Sequence, residues 1–473
     1  MMDYARAIQE INITRTLFSF DATIAEITYF RLAQLQSASN PLFPALSHLS
    51  IDDSTSKSYF YIPMFLSPEL MSVSLTGLDT PGRASAATSF LSMLGSRNNL
   101  TRLSLRSLPL SPTALAAIVG CGGLSRLELT SVGGTINQPS LHALFSMPSL
   151  TDITFHTKTL KYSGSDSVNA LLPGSTRLSS LRLTGPFEML SEWTKYFSSG
   201  GCDLQTLSLE LTRTIVNTGK PSNGKTSKGK PVNSKPSSTQ YARIDPAAID
   251  TLIKEAVPAW RQSLSTFEVV LDPHIEDALP PTFLDAIAGF SHLQVLVLKG
   301  IALHDLNRAL QRLVSHWPSL THLHLPMVNV DNVDCTVSVD TLRHLAENCP
   351  RLTVLRLLMQ NPEDDYYSTI ASAINGVRFP HVHTLSTGTW KMSEHESTRG
   401  SIWESPSQSS QSNEPATPSV KHFCSIVRNI MKVFPRLRTL EPCKGLSERV
   451  WSDIQALVEL CRETEENSKV LSN

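Results

Sequence analysis

Residues 219–226 read GKPSNGKT and match G-x-x-x-x-G-K-[ST]. In that spacing a glycine-rich loop wraps nucleotide phosphates, with Lys225 on the phosphates and Thr226 on the magnesium ion. The chemistry needs a strand leading into the loop and a helix starting directly behind it. Here SKGKPVNSKP follows, and Pro231 and Pro236 oppose a helix. The stretch from Asn217 to Gln240 is built from Lys, Gly, Ser, Thr and Pro, with no acid and almost nothing apolar. Such a composition cannot offset the entropy of ordering, so 212–242 is expected to be a disordered insertion. Asp272, after an apolar run, could serve as the magnesium-side acid of a nucleotide site, but the polar end of a strand explains it equally well. Nucleotide binding therefore remains a remote reading.

Two other constellations invite chemistry. His322 and His324 would face the same side of a strand, about 7 Å apart. A metal ion would need a third donor, and the next repeat offers Val354 and Arg356 at the equivalent positions. Neither a G-x-S-x-G elbow nor an H-E-x-x-H pair occurs, so no enzyme, no metal and no cofactor is expected. Seven scattered cysteines without a C-x-x-C pair argue against a disulfide framework and against a zinc site. With a net charge of -1, the chain has no global field to draw it onto nucleic acid, and no apolar run is long enough for a membrane helix. The opening residues lack the continuous apolar core of a signal peptide, which points to an intracellular protein, cytoplasmic or nuclear.

A repeat organises everything else. The template L-x-x-L-x-L, with large apolar residues allowed at L, fits segments whose first positions are Leu46, Leu70, Leu100, Leu124, Leu150, Leu178, Leu204, Leu264, Leu293, Leu320 and Leu352. Weaker copies start at Val382 and Leu437, and a further one, with Ile8, Ile11 and Ile13, opens the chain. Ten of the twelve intervals between Leu46 and Leu437 lie between 24 and 32 residues; the others, 60 and 55, each contain an insertion. The second insertion, 393–419, is rich in Ser, Gln, Glu and Pro and is also expected to be disordered. Its Ser405-Pro406 and Thr417-Pro418 pairs fit proline-directed phosphorylation, although a variable spacer is the simpler reading.

The second half of the template alternates as a short strand does, leucines to a core and intervening residues to solvent. Between strands, TALAAIVGC, LNRALQRLVSHW and SVDTLRHLAENC have helical spacing, with Ser111 and Pro112 placed to cap and start the first. One strand–helix unit cannot fold alone, and stacked neighbours bury a shared core. The expectation is an α/β solenoid of about 13 to 14 repeats over 1–473, curved, with parallel strands on a concave face and helices on a convex face. Residues 444–473 would form a C-terminal helical cap and tail.

These motifs resemble the leucine-rich-repeat family, and within it the long repeats of F-box proteins. LAENCPRLTVLRL is similar to the cysteine-containing repeat, with Cys349 in the cysteine position. Residues 41–77 resemble the early repeats of F-box/leucine-rich-repeat proteins of mushroom-forming fungi. The resemblance implies a substrate-recognition module that holds a protein target near a ubiquitin-conjugating enzyme. Such proteins carry an adaptor-binding F-box ahead of the repeats. Here the first repeat-like strand begins at Ile8, so the cullin-ligase adaptor is expected as a partner only if an F-box precedes Met1 in a longer product. A repeat-only interaction protein is the alternative.

A protein partner is expected on the concave face. The solvent-facing strand positions are polar and mixed in charge over the N-terminal half. Farther on, Val295, Val297 and Val354 surround His322, His324 and Arg356, an apolar patch with a polar rim that makes the candidate partner site.

Overall fold

The computed structural model describes residues 7–14, 31, 41–52, 57–95, 99–163, 177–199, 201–212, 215–216, 240–241, 245–271, 278–279, 282–325, 336–358, 378–386, 427, 430–441 and 448–471. The 219–226 match and the 393–419 insertion lie outside them. Of 212–242, the described residues include a two-stranded antiparallel pair, Ile215 with Tyr241 and Val216 with Gln240.

Two compact units form, Met1–Asp245 with Glu255–Leu264, and Pro246–Lys254 with Ser265–Asn473. In the first, eight strands run parallel in chain order: β1 (Glu10–Thr14), β2 (His48–Asp52), β3 (Ser72–Leu75), β4 (Arg102–Arg106), β5 (Arg126–Asn137), β6 (Asp152–Ser163), β7 (Ser180–Gly185) and β8 (Thr206–Leu211). The second holds six more: β9 (Thr266–Leu271), β10 (Val295–Lys299), β11 (His322–His324), β12 (Val354–Arg356), β13 (Thr384–Ser386) and β14 (Thr439–Leu440). The opening copy does add a strand, pairing Ile11 with Leu49 and Ile13 with Ile51. The two weakest copies supply β13 and β14.

Several strands are entered in the same way. In these a bulky residue, a proline, a variable residue and the first template leucine form a turn closed by an i to i+3 hydrogen bond. Leu46 N–H donates to Phe43 C=O at 3.2 Å, Leu150 to Met147 at 3.3 Å, Leu320 to Trp317 at 3.1 Å and Leu352 to Cys349 at 3.1 Å. Pro44, Pro148, Pro318 and Pro350 occupy the second position, where their fixed φ favours the turn.

The next residue begins a ladder. Ser125 N–H and Arg126 N–H both donate to Thr101 C=O at 2.9 Å, and the Ser125 hydroxyl donates to the same oxygen at 3.0 Å. One repeat on, Thr151 and Asp152 do the same to Ser125 C=O, with the Thr151 hydroxyl at 3.1 Å. Hydroxyls of Ser47, Thr101 and Ser179 continue the column in the first unit, and those of Thr321 and Thr353 form it in the second. A carbonyl that accepts two neighbouring amides and a hydroxyl leaves little freedom for a register slip.

With that register the leucines stack in columns. Leu49, Val73, Leu103, Leu127, Ile153, Leu181 and Leu207 are aligned strand to strand, and all are buried. Helices cover this face: in the first unit α1 (Pro81–Gly95), α2 (Pro112–Gly120), α3 (Gln138–Phe145) and α4 (Phe187–Ser199). Ser111 caps α2 by accepting from Ala114 N–H at 3.1 Å, with Pro112 at its first position. Trp193 on α4 meets Phe155 on β6 edge to face at 4.7 Å. The second unit carries α5 (Thr282–Ile287), α6 (Leu306–Leu313), α7 (Val339–Asn348) and α8 (Glu448–Leu471). Asn307 on α6 joins it to α7, donating to Thr336 C=O and accepting from Ser338 N–H and the buried Thr341 hydroxyl. Strand exits are equally constrained. Gly300 has φ +71° after β10, and a Cβ there would lie 2.2 Å from Leu271 C=O, so only glycine fits.

The last strand is finished by a side chain. From α8, the Gln455 carboxamide accepts from Leu440 N–H at 3.0 Å and donates to Arg438 C=O at 3.0 Å. It occupies the hydrogen-bonding positions that a following strand would fill, which blunts an open sheet edge.

This anatomy makes three predictions. In urea unfolding, Ser125→Ala and Thr353→Val each cost about 1 kcal/mol, the net worth of one hydrogen bond. Leu127→Ala and Leu355→Ala cost about 2–5 kcal/mol. Loss of the edge cap in Gln455→Leu costs about 1 kcal/mol and increases concentration-dependent association in light scattering.

Candidate functional site

The hydrogen-bonded register brings all six candidate residues into one block. Val295, His322 and Val354 form one row across β10, β11 and β12; Val297, His324 and Arg356 form the next. His322 is exposed, and the other five are half-buried.

Their electrostatics differ from a simple basic rim. Arg356 is engaged in an ion pair with Glu441, just past β14. The row between them holds only the small Ser386, in register with Arg356 on β13. Burial pushes the His324 imidazole down to about 4, and the neighbouring Arg356 and Lys299 charges act in the same direction against a smaller opposing pull from Glu441. His322 is also lowered, by burial first and then by His383 and Arg356. Its Nδ1 lies 2.8 Å from the Thr321 hydroxyl, whose one proton goes to Gln294 C=O at 2.9 Å. The hydroxyl must therefore accept from Nδ1–H, which leaves Nε2 as an outward acceptor. At neutral pH the block is uncharged apart from the internally compensated Arg356.

Among the described residues no group of three His, Cys, Asp or Glu side chains could hold a metal ion. Cys349 sits in its turn with Sγ 3.6 Å from Trp317 C=O, and burial raises its thiol to about 12; Cys121, in the equivalent turn, rises to about 11. Both thiols are packing elements rather than nucleophiles.

Three features escape the sequence pattern. The hydroxyl ladder is visible afterwards as Ser or Thr directly behind the first template leucine, at 47, 101, 125, 151, 179, 321 and 353. The Arg356–Glu441 pair spans 85 residues and has no local signal. A second surface lies in the first unit, a groove of about 470 Å³ across β3 to β7, lined by arginines, carboxylates and hydroxyls. Reading that half only as mixed in charge passes over its grouping.

Parallel strands stacked through one repeated turn, with helices on the leucine side, define a leucine-rich-repeat solenoid of the α/β class. No protein-family model matches the chain, and no curated protein matches it in sequence. Among solved structures it is similar to a leucine-rich-repeat protein of Leptospira interrogans, 12% identical over 87% of this chain and 88% of that one, with a TM-score of 0.35. No described helix is long and apolar enough to cross a membrane.

The His324 shift makes a pH prediction. Unfolded, this imidazole titrates near 6.5; folded, near 4. Above pH 6.5 both states are neutral and the full stability is present. As pH falls toward 4 the unfolded chain takes up a proton that the folded chain resists, and stability is lost. Unfolding midpoints are therefore expected to fall between pH 7 and pH 5, with a shallower fall in His324→Gln. An identical slope in the variant would contradict the assignment.

Proposed function

We propose that this protein is an interaction scaffold that binds a protein partner on the solvent face of its sheet and performs no chemistry of its own. The observation that carries this reading is the six-residue block in the second unit. Valines and neutral imidazoles on adjacent strands, rimmed by Lys299 and the compensated Arg356, provide desolvatable area without an unpaired buried charge. A leucine-rich-repeat fold suits this role, though fold alone does not name a target. The resemblance of residues 41–77 to fungal F-box proteins supports a finer version, the substrate-recognition part of an intracellular ubiquitin-ligase receptor. A ligase-independent scaffold is the second reading.

The test compares proteins that co-purify with the wild type, with Val295→Asp/Val354→Asp, and with Glu347→Lys on the exposed side of α7 as a control, once all are shown to be folded. A defined set lost from the valine variant and kept by the control is expected. Identical sets on all three would remove the block from the account. A cullin-ligase adaptor among the proteins retained by the valine variant favours the receptor version, and its absence favours the ligase-independent one.

A further inference from the structure

The two ends of the parallel ladder are finished differently. At β14 the Gln455 carboxamide fills the edge. At β1 nothing among the described residues pairs with the outer edge. On its inner side, Gln9 C=O accepts from Ser47 N–H and His48 N–H. Alternate residues of a strand bond to opposite sides, so the backbone groups of Ile11 and Ile13 serve β2, while those of Glu10, Asn12 and Thr14 face away from it. The core side is also unfinished. Ile8, Ile11 and Ile13 are half-buried, whereas Leu46, Leu49 and Ile51, one repeat on, are buried. None of the usual devices blunts this edge: residues 8–14 hold no Lys or Pro, and the β1–β2 register has no bulge. One edge is capped and the other keeps open amides beside half-covered isoleucines.

We propose that a second copy of this chain occupies the open edge, β1 pairing antiparallel with its own counterpart across a two-fold axis at Asn12. The strand is self-complementary in that register. Asn12 lies opposite its twin and Glu10 opposite Thr14, so each outward-facing residue exchanges both backbone hydrogen bonds with its partner. Ile11 falls opposite Ile13 as the closely spaced, non-hydrogen-bonded pair, where β-branched side chains add stability. An axis perpendicular to the sheet keeps the core faces of the two copies level, so the half-buried isoleucines cover one another. The charges agree. The two Glu10 carboxylates end about 14 Å apart, four residues along the strand. A register centred on Glu10 would set them opposite each other. Head-to-tail stacking onto β14 would require Gln455 to leave, so the contact closes at two copies and does not run on as a filament. The dimer carries two copies of each partner surface, which raises the affinity for a partner with two matching segments. The pairing is argued from β1 and does not depend on the valine and histidine block.

The experiment is sedimentation velocity of the full chain across a series from nanomolar to tens of micromolar. A reversible monomer–dimer equilibrium is expected. Asn12→Pro removes the two amides that meet at the axis, which face away from β2. It should weaken the dimer about tenfold or more, as the loss of two hydrogen bonds implies. Asn12→Asp keeps those amides and sets two carboxylates opposite each other. Its dimer should weaken at low salt and recover at high salt, an effect that misfolding would not produce. Register is read by mild oxidation and mass spectrometry of linked peptides. Asn12→Cys should give a dimer bridged at that position, since a hydrogen-bonded pair places the Cα atoms about 5.5 Å apart. Glu10→Cys should not cross-link. A chain that stays monomeric throughout the series, a dimer unchanged in both Asn12 variants folded by circular dichroism, or equal cross-linking of the two cysteine variants would overturn the proposal. So would a dimer that forms only in Gln455→Leu, the sign of head-to-tail contact.

Discussion

A single carbonyl oxygen per repeat governs this structure. It accepts two consecutive amides from the next strand and, in half or more of the repeats, a hydroxyl as well. The amides are obligatory donors that burial would otherwise leave unsatisfied. The hydroxyl adds about 1 kcal/mol where Ser or Thr is present. Because the donors come from consecutive residues, the next strand cannot slide by one position without breaking all of them. A one-residue slip would also turn each leucine column out to solvent. The proline turns ahead of several strands and the left-handed Gly300 behind β10 act on the same problem, setting where pairing starts and where it stops.

That register gives the outer face its order. Residues that are about 30 positions apart in the chain become side-by-side neighbours, so rows across the strands behave as composed surfaces. The two units compose them differently. In the second, valines alternate with imidazoles that burial keeps neutral, and Arg356 is held by Glu441. In the first, two guanidiniums stand in register with a carboxylate nearby and hydroxyls around them. One surface offers apolar area, the other localised charge.

Much of this is legible in the sequence because the repeat writes itself in leucines. The alternation at Leu103 and Leu105, or at Leu323 and Leu325, fixes which residues face out. The six-residue block follows from position alone, since in-register stacking must bring Val295, His322 and Val354 together. What is not legible depends on side chains reaching across repeats. Arg356 reads as a free cation until Glu441, past two further strands, is seen to hold it. Gln455 reads as one more polar residue on an amphipathic helix until its carboxamide meets the edge of β14. The hydroxyl column is present at a fixed template position, but serine and threonine are common on any solvent-facing strand, and only the geometry assigns their protons.

The measurement that bears most directly on this account is native-state amide hydrogen exchange resolved to single residues. Paired amides at strand starts, such as Ser125 with Arg126 and Thr353 with Val354, should be among the best protected in their units, although they sit at strand ends where fraying is the usual behaviour. Protection there comparable to that of strand centres is the predicted result. Exchange at those amides as fast as in the connecting segments would contradict the claim that the shared carbonyl holds the register.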